Sequence, residues 1–113
     1  MFPTALTLGP YRFKVRLVAH PGRGDGENIG YTDLNALTIA VQKDLSLYQQ
    51  ALVLHHELGH AIWYVFGAST KVGEEEAAEE HIVNVMSTGY IMAEQENPAL
   101  RAFFDATLRG GKR

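Results

Sequence analysis

The chain has 113 residues, of which 46% are hydrophobic and 20% charged, and its formal net charge is −3. This length suits a single domain over residues 1–113, and the slightly acidic balance gives no reason to expect nucleic acid as a partner. The sequence contains no cysteine, which excludes disulfides, thiolate nucleophiles and every zinc site that uses cysteine.

The first ten residues contain neither a basic leader nor an apolar stretch long enough for a secretory signal. No apolar run elsewhere has the length of a membrane span. We therefore expect a soluble, cytoplasmic protein with no membrane partner.

Residues 11–19 alternate between apolar and other side chains, which predicts a half-buried strand. Arg12, Lys14 and Arg16 lie on the same side of this strand. Three alternating cations are typical of the solvated face of an edge strand, and we interpret them in that way.

A glycine-rich segment, residues 20–28, follows this strand. It lacks the Gly-Lys-Ser/Thr of a phosphate-binding loop and is predicted to be a surface turn, with His20 exposed at the strand end. Residues 37–41 alternate again and predict a second strand, and residues 29–32 give a weaker strand signal.

A long helix is predicted over 47–66, with Ser46 as its N-cap, Gln49 completing a capping box and Gly67 ending it. Its apolar residues occur nearly all round the helix. This distribution is typical of a buried central helix.

Two more helices are predicted in the C-terminal half. The second begins near Glu74, after a loop over 67–73, and fades near Glu96. We expect five of its residues to face the core: Ile82, Val83, Met86, Tyr90 and Ala93. The third begins with Asn97 as cap and Pro98 at its first position, and ends at residues 110–111. The predicted fold is α+β, a small antiparallel or mixed sheet packed on the central helix.

The central helix contains the sequence His-Glu-x-x-His as His56, Glu57 and His60. Residues four apart lie on one face of a helix with Cβ atoms about 5–6 Å apart, so the two imidazoles can bind one metal ion. Glu57 points to the side of this pair, where it can accept a proton from a water bound to that metal. His55 lies off this face and is predicted to be a surface residue or a neighbour of the site.

A catalytic zinc usually has three protein ligands. Trp63 and Phe66 stand where a metzincin needs glycine and histidine, and the absence of cysteine excludes a deformylase arrangement. A glutamate from the following helix remains. Glu79 precedes Ile82 by three residues and is favoured by helical phase, with Glu80 as a close second.

The chain resembles the gluzincins, zinc peptidases with His-Glu-x-x-His and a downstream glutamate. It resembles more closely the small phage and prophage metallopeptidase-like proteins related to the ImmA/IrrE family. The likeness rests on the residues at 30–33, 37–39, 52–63, 79–83 and 96–100. The chain departs from that family in lacking a clear Glu-Ala-Asn-x-Phe-Ala signature.

The resemblance implies a zincin-like domain with Zn²⁺ as cofactor. It assigns His56, His60 and either Glu79 or Glu80 as metal ligands and Glu57 as the general base. The implied activity is zinc-dependent hydrolysis of a peptide or protein substrate.

Two other functions remain open: a non-catalytic zinc-binding regulatory or scaffolding module of phage origin, and a regulatory protease acting on one repressor-like protein. A homo-oligomer or another partner could complete the cleft of so small a domain. Tyr64, Tyr90 and His81 are candidates for stabilising the oxyanion. We also expect the strand at 37–41 to be an edge strand that pairs with an extended substrate.

Overall fold

A mixed four-stranded sheet with three α-helices makes up the part of the protein that a computed structural model describes. The described residues are 1–21, 29–67 and 75–110, with the backbone alone at 75–79. The predicted loops at 20–28 and 67–73 therefore lie largely outside the described residues. The α+β class is confirmed.

The strands follow the order β1-β2-β4-β3 across the sheet. Their bounds are Ala5–Leu8 for β1, Tyr11–Val18 for β2, Gly30–Asp33 for β3 and Thr38–Gln42 for β4. β2 and β4 run parallel in the centre, and each pairs antiparallel with its outer neighbour.

This order corrects two expectations about edge strands. β2 is paired on both sides, so Arg12, Lys14 and Arg16 mark the solvated face of a central strand rather than an edge. β4 is also central, because β2 and β3 occupy both of its hydrogen-bonding sides. A substrate therefore cannot add to β4, and the outer strand on this side of the sheet is β3.

Two details of the sheet were not predicted. β1 has only four residues and gave no sequence signal. Its free edge is covered by Asn97, whose side-chain amide donates to the Thr7 carbonyl at 2.8 Å and accepts from the Thr7 N–H at 2.7 Å. β4 begins one residue later than predicted, because Leu37 has a left-handed φ of 51° that is incompatible with a strand.

The helices agree closely with the sequence prediction in their bounds. α1 spans Leu47–Ile62 and continues as a π-helical turn over Trp63–Gly67. α2 spans Glu75–Glu96 and α3 spans Pro98–Thr107. The Ser46 hydroxyl accepts the Gln49 N–H at 3.2 Å, which confirms the predicted N-cap.

The core lies between the sheet and the helices. Its largest fully buried side chains come from three strands, α1 and α3: Leu6, Leu8, Phe13, Ile39, Val41, Leu54, Leu58, Ile62, Leu100 and Phe104. Helix α2 crosses α1 closely at Gly89, where a Cβ atom would lie 2.2 Å from Ile62 Cγ2. No helix in the described part of the chain is both long enough and apolar enough to cross a bilayer.

The phase of α2 differs from the prediction in its first half. Ile82 is 45% exposed and Val83 is 52% exposed, so neither belongs to the core. Ala93 is fully buried and Met86 and Tyr90 are half-buried, as predicted. Ile82, Met86 and Tyr90 line a groove between α2 and α1.

Candidate metal site

Helix α1 is buried on most of its circumference but exposes one stripe of side chains. Beyond its exposed first turn, the exposed residues recur every four positions, at Leu52, His56 and His60, and Tyr64 continues the stripe in the π-helical turn. The all-round apolar composition of α1 had suggested a helix buried on every side. The structure shows instead that one side is exposed. The two motif histidines lie in the middle of the exposed stripe.

The two imidazoles lie side by side on this stripe. The ring centroids of His56 and His60 are 5.0 Å apart, and the ring planes are inclined by 80°. Two imidazoles on one tetrahedral zinc, with Zn–N bonds of about 2.0–2.1 Å, have centroids about 5 Å apart. The separation of the two rings is therefore compatible with two ligand positions on one zinc ion.

Glu57 is only 8% exposed although it is charged. Its carboxylate Oε1 lies 2.8 Å from the Thr32 hydroxyl, which is also 2.9 Å from the Glu57 carbonyl oxygen. A threonine hydroxyl carries one proton, so it donates to one of these acceptors at a time. Thr32 in β3 therefore holds the carboxylate of Glu57 against the sheet.

Gly30 makes this contact between β3 and α1 possible. A Cβ atom at this position would lie 2.5 Å from Val53 Cγ1 and 3.3 Å from Glu57 Cγ. Any side chain here would push the strand away from the helix. The glycine thus lets Thr32 reach Glu57.

His56 lies between two depressions of the surface. On the β3 side, a cleft of about 430 Å³ is lined by Gly30, Gln49, His56 and Glu57 together with Ile29, Leu52 and Val53. On the α2 side, a groove of about 690 Å³ is lined by both motif histidines and by Leu52, His55, Gly59, Trp63, Ile82, Met86 and Tyr90. We call these the β3 cleft and the α2 groove.

The sequence predicts a third metal ligand at Glu79 or Glu80. Within the described part of the chain, no three His, Asp or Glu side chains are placed to hold one metal ion. Glu80 is described and is exposed. Val83 and Ser87, which lie on the same side of α2, are exposed as well. The side chain of Glu79 lies outside the described residues, so its role stays a prediction.

Tyr90 attaches α2 to the turn of α1 that carries the histidines. Its hydroxyl donates a hydrogen bond of 2.7 Å to the His55 carbonyl, and its ring stacks on the His55 imidazole with centroids 4.3 Å apart. Burial raises the pKa of Tyr90 to about 12. Burial also lowers the pKa of His55; the carboxylate of Glu94 opposes this effect, and the guanidinium of Arg109 adds to it.

The three oxyanion candidates occupy different places. Tyr90 lines the α2 groove, but its hydroxyl donates to a backbone carbonyl. Tyr64 is 39% exposed, and its ring packs on Tyr11 with centroids 6.0 Å apart. His81 packs edge-on against Trp63 with ring centroids 5.9 Å apart and lines another, smaller cleft.

His20 is exposed, as expected.

Sequence reasoning missed the residues that hold the motif in place. Gly30 and Thr32 belong to a quoted segment of the family resemblance, but no role was assigned to them. A glycine at the start of a short strand was the available signal. Gly59 is likewise close to two side chains of α2, the Tyr90 hydroxyl and the Met86 methyl group.

The comparisons with known proteins identify no relative. No family model matches the chain, and no curated protein and no solved structure shows significant similarity to it. We therefore infer the function from the geometry of His56, Glu57 and His60 and from the residues around them.

Proposed function

We propose that this protein is a zinc-dependent metallopeptidase built on a minimal zincin-like domain, of the kind found in small phage proteins related to the ImmA/IrrE family. The observation that carries the proposal is the exposed pair of imidazoles, 5.0 Å apart, with the carboxylate of Glu57 held beside them. His56 and His60 are the proposed zinc ligands, and Glu79 or Glu80 is the third.

Burial of Glu57 supports a chemical role for it. Moving an ionised carboxylate out of water costs several kcal/mol unless partners compensate. A helix that needed only to pack would carry an apolar residue at this position. A carboxylate that is 8% exposed, faces a cleft and has one polar side chain of β3 against it is suited to exchange protons with a bound molecule.

Bound zinc would supply Lewis acidity, which lowers the pKa of a water molecule and polarises the scissile carbonyl. Glu57 would accept one proton from the attacking water as the new C–O bond forms at the carbonyl carbon. It would then deliver that proton to the amine nitrogen as the C–N bond breaks. Thr32 would keep the carboxylate oriented through both transfers.

The two depressions suggest how a substrate would lie. β3 is an outer strand, and its Gly30 borders the same cleft as Glu57. An extended peptide could pair with β3 along the β3 cleft, with its scissile bond at the histidines. The apolar walls of the α2 groove, including Trp63, Ile82 and Met86, would then accommodate an apolar side chain of the substrate.

The test is zinc content combined with cleavage. We expect the purified protein to bind about one zinc ion and to cleave members of a mixed peptide library, detected by mass spectrometry. His56→Ala should lose zinc, whereas the exposed His20→Ala should keep it. Glu57→Gln should keep zinc and lose at least a hundredfold in kcat. The matched control Glu96→Gln, at an exposed glutamate, should retain activity.

Two outcomes would contradict the proposal. A wild-type protein that binds no zinc would remove the metal site. Zinc binding without cleavage in either the wild type or Glu57→Gln would favour a zinc-binding scaffold or regulatory module instead.

A further inference from the structure

Tyr90 contacts the backbone of α1 at two points, one turn apart. Its hydroxyl donates to the carbonyl of His55 at 2.7 Å. The same hydroxyl lies 2.8 Å from the place where a Cβ atom of Gly59 would be. Any residue with a side chain at position 59 would collide with this hydroxyl group, so the contact requires glycine.

These two points directly precede the proposed zinc ligands. His55 is followed by His56, and Gly59 is followed by His60. The histidine side chains extend from a helix whose radius with side chains is about 5–6 Å, so a rotation of α1 by about 20° would move each imidazole by roughly 2 Å. Metal–ligand distances tolerate a change of about 0.2 Å. Such a rotation moves both imidazoles together, so it decides whether the pair faces a third zinc ligand carried by α2.

The Tyr90 ring is itself held in place. It stacks nearly parallel on the His55 imidazole, with an interplanar angle of 7°, and His55 in turn packs on Phe104 with ring centroids 5.3 Å apart. A tyrosine hydroxyl is protonated, and therefore a donor, at physiological pH, and burial raises the pKa of Tyr90 further, to about 12. The hydroxyl is thus a fixed point on α2 against which α1 is oriented.

We propose that Tyr90 is a positioning residue that sets the rotation of α1 relative to α2, so that His56 and His60 together face a zinc ligand supplied by α2. This inference rests on the proposed function, because it assumes that the two histidines bind zinc. It assigns Gly59 a specific role as well: the glycine admits the Tyr90 hydroxyl to the backbone of the metal-binding turn.

The first test is Tyr90→Phe, which keeps the ring and removes the hydrogen bond. We expect zinc affinity, measured by competition with a chromogenic chelator, to fall about tenfold, in the range seen when groups that support metal ligands are removed. Asn97→Ala is the control, because it removes hydrogen bonds to Thr7 and Ala93 at the far end of α2. It should lower stability without changing zinc affinity.

The second test is Gly59→Ala, alone and combined with Tyr90→Phe. Alone, the new methyl group should displace the Tyr90 hydroxyl and reduce zinc affinity about as much as Tyr90→Phe does. In the double variant the hydroxyl is absent, so adding Gly59→Ala should cost little more. Such non-additivity is the signature of direct coupling between the two positions.

The outcomes separate this inference from the proposed function. Wild-type protein that binds no zinc contradicts the metal site and this inference together. Wild-type protein that binds zinc, with Tyr90→Phe and Asn97→Ala showing equal affinities, overturns the positioning role alone. Additive losses in the double variant would also overturn it. A Co²⁺-substituted sample gives a second reading, since its visible spectrum should change in Tyr90→Phe and stay constant in Asn97→Ala.

Discussion

Thr32 is the side chain on which the orientation of Glu57 depends most directly. It belongs to β3, whereas Glu57 belongs to α1, so their hydrogen bond of 2.8 Å also connects the sheet to the helix that carries the motif. Hydrogen bonds to charged groups contribute about 1.5–3 kcal/mol to stability. The same contact therefore serves both the fold and the proposed proton transfers.

Replacing Thr32 by valine keeps the β-branched shape and removes the hydroxyl. We expect the free energy of unfolding to fall by about 1–3 kcal/mol, because the Glu57 carboxylate would remain buried with one partner fewer. We expect kcat to fall about tenfold to a hundredfold, since a general base displaced by an ångström loses much of its effect. Denaturant unfolding and steady-state kinetics measure the two quantities.

Thr38→Val is the matched control for this change. Thr38 is also a strand residue, and its hydroxyl donates to the exposed carbonyl of Ala36 at 3.2 Å. It should leave both stability and kcat nearly unchanged. Equal kcat values for Thr32→Val and wild type would mean that Thr32 does not orient the base.

At the scale of elements, β3 combines two properties that the other strands lack. It lies at the edge of the sheet, and it borders the cleft that contains Glu57. The Gln42 N–H donates to the Ile29 carbonyl at 2.9 Å, which fixes the antiparallel alternation of the hairpin with β4. In an antiparallel pair, every second residue forms hydrogen bonds with the neighbouring strand. Because Ile29 bonds β4, the N–H and C=O groups of Gly30 and Thr32 point away from β4.

The bounds of the helices followed from local sequence signals, whereas the arrangement of the strands did not. Ser46 as a cap and Gly67 as a terminator are read from a few neighbouring residues. The central position of β4 depends on β2 and β3, which come from separate parts of the chain, and no local pattern encodes that pairing. This is why the edge strand beside the site was assigned to 37–41 and not to β3.

The same distinction applies to the candidate site. The spacing of His56, Glu57 and His60 follows from helical geometry alone, and the structure places both histidines on an exposed face as that spacing requires. Thr32 and Tyr90 approach the motif from other elements. Their contacts depend on tertiary packing, including the close crossing at Gly89, and could not be derived from periodicity.

Backbone pairing with β3 can be tested on the substrate side without altering the protein. Once a cleaved peptide is known, we expect N-methylation of an amide that pairs with Gly30 or Thr32 to raise KM at least tenfold, because the methyl group removes one strand hydrogen bond and blocks close approach. Alternate amides along the peptide should tolerate methylation, since they point away from β3. A uniform response at all positions would contradict strand addition.

At the scale of the whole molecule, a zinc ion would join α1 to the first turns of α2. Ile82, near the start of α2, is 45% exposed and lines the α2 groove together with the two histidines. A ligand that binds only the folded state stabilises it by about 2.7 kcal/mol when its free concentration is a hundred times Kd. For a domain of this size that corresponds to an increase in Tm of roughly 10 °C.

This linkage can identify the third ligand. Glu79→Gln and Glu80→Gln remove the same charge at neighbouring positions of α2, so each is a matched control for the other. We expect Glu79→Gln to lose most of the zinc-dependent increase in Tm, because Glu79 precedes Ile82 and Met86, which line the α2 groove, by three and seven residues. Glu80→Gln should keep the increase, since Glu80 is aligned with Val83 and Ser87, which are not among the residues that line this groove. Loss in Glu80→Gln alone would assign the ligand to Glu80, and full retention in both variants would contradict a glutamate ligand from α2.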